Sequence, residues 1–403
     1  MPLLHDLFHQ FRGLPRSIKL FYVSDLFFAF GQAIFLTLFN LHLLKVGYDA
    51  SHIGTLQWLS GLLMAAAAVP IGVIADRFGR RGLYIAGSIL YGIPYAVMPL
   101  LTDFRLLLTA YAIHSLGMVL MMVNEGPLLA GEVGTEKRAS VFSFMMINFF
   151  LWNTIGIQVA GLLVRWLPAG QLSEYVWPLA LAGFCGVAAG LMRAFLPFKP
   201  YKPARQGFRL LPSRTALLLA GVSLLSGSFS ALLQNFANVV LAERFAFGAE
   251  AVATVLTVAG VLGWVASLFV PWLSGRLGDL RGYVLVVALQ AVVLLYLGLA
   301  ESPGAYVPGF WLRTALTNMQ MPLFAAFAMG VTAESERATA NSYAMVGRNV
   351  GTAFASHLFG TSLAAGSYLL PFALASLLAL GAAGATLAAF RESPSARRTD
   401  LQI

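Results

Sequence analysis

Charge is scarce in this chain and cysteine nearly absent. Of its 403 residues only 11% are charged while 59% are hydrophobic, whereas a soluble domain carries roughly 25% charged residues. No water-soluble fold buries such an apolar excess, so soluble enzymes and soluble binding modules are excluded. The single cysteine, Cys185, lies in an apolar run, which rules out disulfides and thiolate metal sites within one chain. No G-x-x-x-x-G-K-[ST] phosphate loop occurs, and no polar stretch is long enough to house a nucleotide domain, so an ATP-driven pump is not expected. The six histidines, at 5, 9, 42, 52, 114 and 357, are scattered. His5 and His9 stand four apart but lack a third ligand, so no metal centre and no cofactor are expected. The first 17 residues offer no small-residue cleavage site after an apolar core, and no cleaved signal peptide is predicted.

What the chain does have is a succession of long apolar runs. At about 33 residues for one crossing helix with its connection, its length accommodates about twelve spans. Charges, prolines and turn residues divide it near 18–44, 51–75, 83–101, 105–131, 139–166, 175–196, 214–242, 251–275, 283–300, 305–331, 338–363 and 368–390. The net charge of +9 is spread between these runs rather than gathered in one patch, which argues for membrane topology and against a nucleic-acid partner. With the N-terminus inside, twenty Lys and Arg fall on the inner side and only Lys45, Arg105, Arg165 and Arg244 on the outer side, leaving Arg313 and Arg348 within spans. Both termini are therefore expected in the cytoplasm and the protein in the cell (inner) membrane.

The expected organisation is all-α, with twelve transmembrane helices in two six-helix bundles. Residues 1–17 form a cytoplasmic interfacial segment, with Leu3, Leu4, Leu7, Phe8 and Phe11 at helical spacing on its apolar face. The N-terminal bundle covers 18–196 and the C-terminal bundle 214–390. Between them, residues 197–213 form a proline-rich cytoplasmic linker, and 391–403 a cytoplasmic tail.

An internal repeat supports the two bundles. After span 2 the sequence reads Gly72-Val-Ile-Ala-Asp76-Arg77-Phe-Gly79-Arg80-Arg81, and the spacing G-x-x-x-D-x-x-G returns at Gly275, Asp279 and Gly282 after span 8. Prolines precede both copies, at Pro70 and Pro271. Glu132 to Ala139 after span 4 is likewise echoed by Glu334 to Ala338 after span 10. Several matches offset by half the chain indicate two copies of one six-helix unit. The Gly72–Arg81 loop resembles the signature between helices 2 and 3 of the major facilitator superfamily of secondary transporters. The resemblance implies two six-helix bundles around a central path, opened alternately to either side. The duplicated spacing favours a conformational latch in Gly72, Asp76, Arg77, Gly79, Arg80, Arg81, Gly275, Asp279 and Gly282, with Asp76 reaching across the cytoplasmic seam to Arg138. The plainer alternative is that the loop only anchors topology. Members often carry a span-4 arginine three residues before a glycine, and here the matching place reads His114-Ser-Leu-Gly117. The glycine-proline pattern of many drug–proton antiporters is missing from span 5.

A charge at mid-helix costs about 2.5–3.5 kcal/mol on insertion scales, so such residues usually face a cavity. Asp25, Glu125, Arg313 and Arg348 are those expected here. At about 1.5 Å per residue, Asp25 and Glu125 share a level near the inner side, with His114 and Arg313 nearer the outer side. In the superfamily spans 1, 4, 7 and 10 line the path, which places Asp25, Glu125 and Arg313 on it. Asp25 and Glu125 are proposed to couple transport to protons, with His114 as relay or as a plain bundle histidine. Arg313 and Arg348 are candidate holders of an anionic cargo group or members of structural ion pairs. Gln32, Asn124, Asn148, Gln234, Asn235, Asn238 and Asn318 are further substrate-binding candidates, each with the alternative of joining helices by hydrogen bonds. The surrounding Phe and Met suit amphiphilic cargo. The expectation is thus a monomeric, proton-coupled transporter, in contact with membrane lipids, that exports or exchanges a hydrophobic or amphiphilic small organic molecule. A uniporter or importer of a small organic anion and a transport-inactive receptor are the alternatives. An enzyme is not expected.

Overall fold

The computed structural model describes residues 11, 13–167, 173–198 and 212–391. The expected interfacial helix with His5 and His9, most of the 197–213 linker, and the tail beyond 391 lie outside the described residues. The rest is helical, with no strand among the described residues. Twelve long helices follow in order: α1 Arg16–Val46, α2 Ala50–Phe78, α3 Arg80–Val97, α4 Phe104–Glu132, α5 Thr135–Trp166, α6 Ser173–Ala194, α7 Arg214–Phe245, α8 Ala249–Ser267, α9 Val270–Leu299, α10 Pro303–Val331, α11 Arg337–Ala364 and α12 Leu369–Phe390. Ten of them are long and apolar enough to cross a membrane. The other two, α10 and α11, carry Arg313, Asn318 and Gln320 and Asn341, Arg348 and Asn349 respectively. A helix polar at that depth is supported only where its polar side turns to protein or a cavity.

The chain divides into two compact units. One contains α1 up to His42, α2 from Ala66, and α3 to α6; the other contains Leu43–Ala65 with α7 to α12. In the first, α3 packs against both α4 and α6, and glycine lets it come close. A Cβ on Gly92 would meet the Gly186 backbone of α6 at 2.6 Å, and one on Gly117 of α4 would collide with the Tyr91 backbone. Close backbone approach over small residues replaces the hydrophobic driving force that lipid cannot supply. In the second unit the tightest pair is α7 with α11, where a Cβ on Gly351 would strike Leu224 of α7. Gly54 and Gly61 of the first half of α2 similarly make room for Gly360 and Ala353 of α11.

The boundary between spans 8 and 9 falls where the sequence places it: after a two-residue turn at Leu268 and Phe269, both in the αR region, helix resumes at Val270 with Pro271 in its first turn, and the kink comes at Gly278, φ 75°, inside α9. Proline is tolerated in that first turn because its N–H has no intrahelical partner. Pro70, its counterpart, stays inside α2.

Candidate functional site

Three helices of the first unit bring a cation and two carboxylates together. Arg193 near the end of α6 is almost wholly buried, and its Nη2 lies 3.6 Å from Asp25 Oδ1 of α1 and 3.7 Å from Glu125 Oε2 of α4. The level shared by Asp25 and Glu125 is thus real, and a single guanidinium nitrogen joins them. The remaining contacts orient the group. Arg193 Nη1 lies 2.6 Å from Met121 Sδ, and the guanidinium sits over the Phe28 ring at 4.7 Å and Tyr84 at 5.4 Å, a cation–π arrangement strengthened by exclusion of water. Tyr84 donates its hydroxyl to Glu125 Oε2 at 3.1 Å. Asn148 of α5 donates from Nδ2 to Asp25 Oδ2 at 2.9 Å and to the Tyr22 carbonyl at 3.1 Å. The two carboxylates differ in access: the Asp25 side chain is 4% exposed, the Glu125 side chain 20%.

Arg193 corrects the sequence reading, which counted it among the cytoplasmic loop cations. A signal was present: Arg193 falls inside the apolar run 175–196, and a cation within a span calls for a partner. Asn148, a substrate candidate, instead holds Asp25. Asn124 donates to the Leu120 carbonyl at 2.7 Å and accepts from Arg80 Nη1 at 3.5 Å. Gln32 is buried beside Tyr91. His114 Nδ1 lies 3.2 Å from the Tyr91 carbonyl, and its ring stacks on Tyr95 with centroids 4.5 Å apart. Its environment is aromatic, and the structure does not bring it to Asp25 or Glu125.

The loop after α2 is also more local than expected. Asp76 pairs with Arg80, Oδ1 to Nη2 at 2.6 Å, whereas Arg138 donates from Nε to the Ala130 carbonyl at 3.3 Å. The expected Asp76–Arg138 contact is therefore replaced by a pair four residues apart, across the Gly79 turn. Arg80 Nη1 also reaches the Val123 carbonyl at 3.3 Å, which ties the start of α3 to the residues just before Glu125. Arg77 and Arg81 are exposed. Gly79 has φ 94°, a left-handed turn that glycine adopts without strain. A Cβ on Gly72 would meet only Val123, at 3.9 Å, so no close approach requires that glycine.

In the second copy the turn glycine has moved. Gly278, not Gly282, has positive φ, at 75°; Gly282 is buried within α9. Asp279 therefore follows its turn, where Asp76 precedes its own. Asp279 accepts from Ser274, and Gly275 sits in the short helical stretch before the turn.

The second unit holds a cavity of about 530 Å³, bounded by α7, α10 and α11. Arg348 lines it, as do Ser226, Gln320, Met321 and Phe324. Arg348 Nη1 points at Met321 Sδ. Behind the wall runs a chain of hydrogen bonds: Thr317 Oγ1 donates to Gln290 Oε1 at 2.9 Å, Gln290 Nε2 to Gln320 Oε1 at 2.8 Å, and Gln320 Nε2 to Ser226 Oγ at 2.6 Å. The sequence reading missed Ser226 and Gln290. Arg313 is buried away from this cavity, with Nη2 3.4 Å from the Ser230 carbonyl. The other candidates do not line it either: Gln234 is exposed, Asn235 donates to Ser356 Oγ at 2.8 Å, Asn238 accepts from the Val239 N–H at 3.0 Å, and Asn318 donates to the Thr314 carbonyl at 3.0 Å.

Known proteins share this architecture. The chain resembles the crystal structure of the nucleoside transporter NupG with a TM-score of 0.75 at 13% identity, over 94% of this chain and 100% of that one. It resembles a bacterial homolog of the human lysosomal transporter Spinster with a TM-score of 0.75 at 13% identity, over 93% and 96%. Such likeness shows the fold alone. Among curated proteins it is 23% identical to a probable 4-methylmuconolactone transporter of Cupriavidus pinatubonensis, over 46% of this chain and 42% of that protein. It is 25% identical to the multidrug resistance protein MdtL of Escherichia coli, over 64% and 66%. The chain spans about half the length of the first of these relatives. The family model of the Major Facilitator Superfamily matches residues 21–312, and with the twelve-helix fold this shows that the chain belongs to that superfamily of membrane transporters, which are not enzymes.

Proposed function

We propose that this protein is a secondary transporter that couples proton movement to the export or exchange of an amphiphilic small organic molecule. The observation that carries the coupling is the Asp25–Arg193–Glu125 triad. Its formal charge is −1, so one proton makes it neutral. A low-dielectric wall strongly separates the energies of those two states. Partly exposed Glu125 is the proton's point of exchange, and Asp25, held by Asn148 and Arg193, is the resident counter-charge. A conformational change that moves α4 against α6 alters the Glu125–Arg193 distance and with it the affinity for the proton. Each factor of ten in that affinity biases the two side-facing states by about 1.4 kcal/mol. Arg80, bonded both to Asp76 and to the backbone beside Glu125, links the loop latch to the same helix.

The multidrug and muconolactone relatives support small organic cargo, and the twenty-to-four distribution of cations supports a cell-membrane protein with both termini in the cytoplasm. The test is cargo uptake in proteoliposomes. A pH gradient should drive uptake by the wild type. Glu125→Gln should lose that dependence while retaining exchange of labelled for unlabelled cargo. Uptake by Glu125→Gln that still follows the gradient would place coupling elsewhere.

A further inference from the structure

Arg348 is a guanidinium at span depth with no carboxylate within ion-pair distance among the described residues, and no Asp or Glu lines its cavity. Its side-chain neighbour is the sulfur of Met321, a weak acceptor that does not replace a counter-charge. A charge left so is costly in a membrane span. The cavity around it is elongated. From Gln320 on α10 to Thr332 at its C-terminal cap, both lining the cavity, is roughly 18 Å at about 1.5 Å per residue. Ser226, Gln320 and Arg348 gather toward one end, and Met321, Phe324, Met329 and Met345 supply adaptable apolar walls. At the other end Arg337 is exposed and adjoins Glu334 and Glu336 in the preceding turn, so its charge is offset nearby.

The hydrogen-bond chain behind the wall adds polarity of a definite sense. Donation runs from Gln290 to Gln320 to Ser226. Ser226 Oγ accepts from Gln320 at one of its two lone pairs, and its O–H is the donor that remains, between the neighbouring Tyr283 hydroxyl and the cavity it lines. A guanidinium and a hydroxyl donor at one end of an apolar cavity match a carboxylate on an apolar body.

We propose that the cavity of the second unit binds an anionic amphiphile, with its acid group at Arg348 and Ser226 and its apolar body along the methionines. This rests on the transporter reading and names its cargo class. The same chemistry is offered by a dissolved organic acid and by an anionic lipid.

The probes are 4-phenylbutyrate and its neutral amide, which have nearly the same shape, titrated near neutral pH onto the full chain in phosphatidylcholine nanodiscs. The acid should bind at least tenfold more tightly than the amide. Arg348→Gln should bring the two together, Arg348→Lys should keep part of the preference, and Ser226→Ala should weaken the acid a few-fold. If phosphatidylglycerol in the nanodisc displaces the acid, a lipid is the natural anion; if it does not, a dissolved acid is. Equal affinity of wild type for acid and amide would overturn the proposal, as would a preference that survives Arg348→Gln. Should Arg348→Gln not fold, the wild-type ratio and Ser226→Ala decide. Selective acid binding without gradient-driven uptake would defeat the proton-coupled reading and leave this site standing. Gradient-driven uptake of other cargo, with acid and amide bound equally, would do the reverse.

Discussion

Each unit sets an arginine against a methionine, of α4 in one and α10 in the other, and the two arginines live differently. Arg193 rests on Met121 with Asp25 and Glu125 beside it. Arg348 rests on Met321 with no acid in reach among the described residues. The first is neutralised from within the protein and leaves one negative charge over. The second is not neutralised, and its wall is a cavity. The halves of a duplicated chain have thus diverged in where the counter-charge comes from: side chains in one, a ligand, by our proposal, in the other. Divergence of this kind suits a machine that must bind a proton and a cargo at separate places.

The sharpest way to break the comparison is to delete each cation in turn. Arg193→Gln strands buried Asp25 and half-buried Glu125 and is expected to destabilise the protein by about 3–5 kcal/mol, seen as a lowered melting temperature. Adding Asp25→Asn should restore much of the loss. Arg348→Gln removes an unpaired charge and should leave the melting temperature nearly unchanged. If the two single variants melt alike, the asymmetry between the units is wrong.

A smaller effect separates the two carboxylates. Tyr84→Phe removes the hydroxyl that Glu125 accepts and should cost about 1 kcal/mol, while shifting the pH profile of transport. Removing the Asn148 amide by Asn148→Leu should act on stability more than on that profile, because Asp25 is the buried anchor. Smaller again is the latch. Asp76 and Arg80 form a half-exposed pair across the Gly79 turn, worth about 0.2–1 kcal/mol to stability. Asp76→Asn should slow transport a few-fold in initial-rate assays with cargo affinity unchanged; a matching loss in equilibrium titrations would count against it.

A separate effect, confined to acid pH, lies outside the spans. Burial alone would raise the Asp49 carboxyl, but hydrogen bonds from Ser51 and His52 outweigh it and bring it down to about 2. A carboxyl held below its unfolded value of about 3.9 contributes stability at higher pH and loses it as pH falls toward 2. Asp49→Ala should flatten that acid limb in a pH series of melting temperatures.

The fold was legible because twelve apolar runs and a repeated spacing are one-dimensional signals that survive without side-chain detail. The level of Asp25 and Glu125 was legible too, since rise per residue is constant along a helix. For Arg193 the apolar run that contains it signals the need for a partner, but not whether the side chain turns outward to lipid phosphates or inward to carboxylates. Gly282 misled for a related reason: the G-x-x-x-D-x-x-G spacing persists in the second copy, yet the positive-φ turn sits at Gly278. The substrate candidates Asn148 and Asn124 look alike in sequence, and only helix rotation decides that they bond Asp25 and the Arg80 contact.

The central claim is that one proton moves through Glu125 against the Arg193 charge. It is tested most directly by trapping a pH dye inside proteoliposomes and adding cargo with no pre-formed gradient. Wild type should change the internal pH in proportion to the cargo moved, and Glu125→Gln should carry cargo in exchange mode with no pH change. Proton flux in Glu125→Gln equal to wild type would contradict the account.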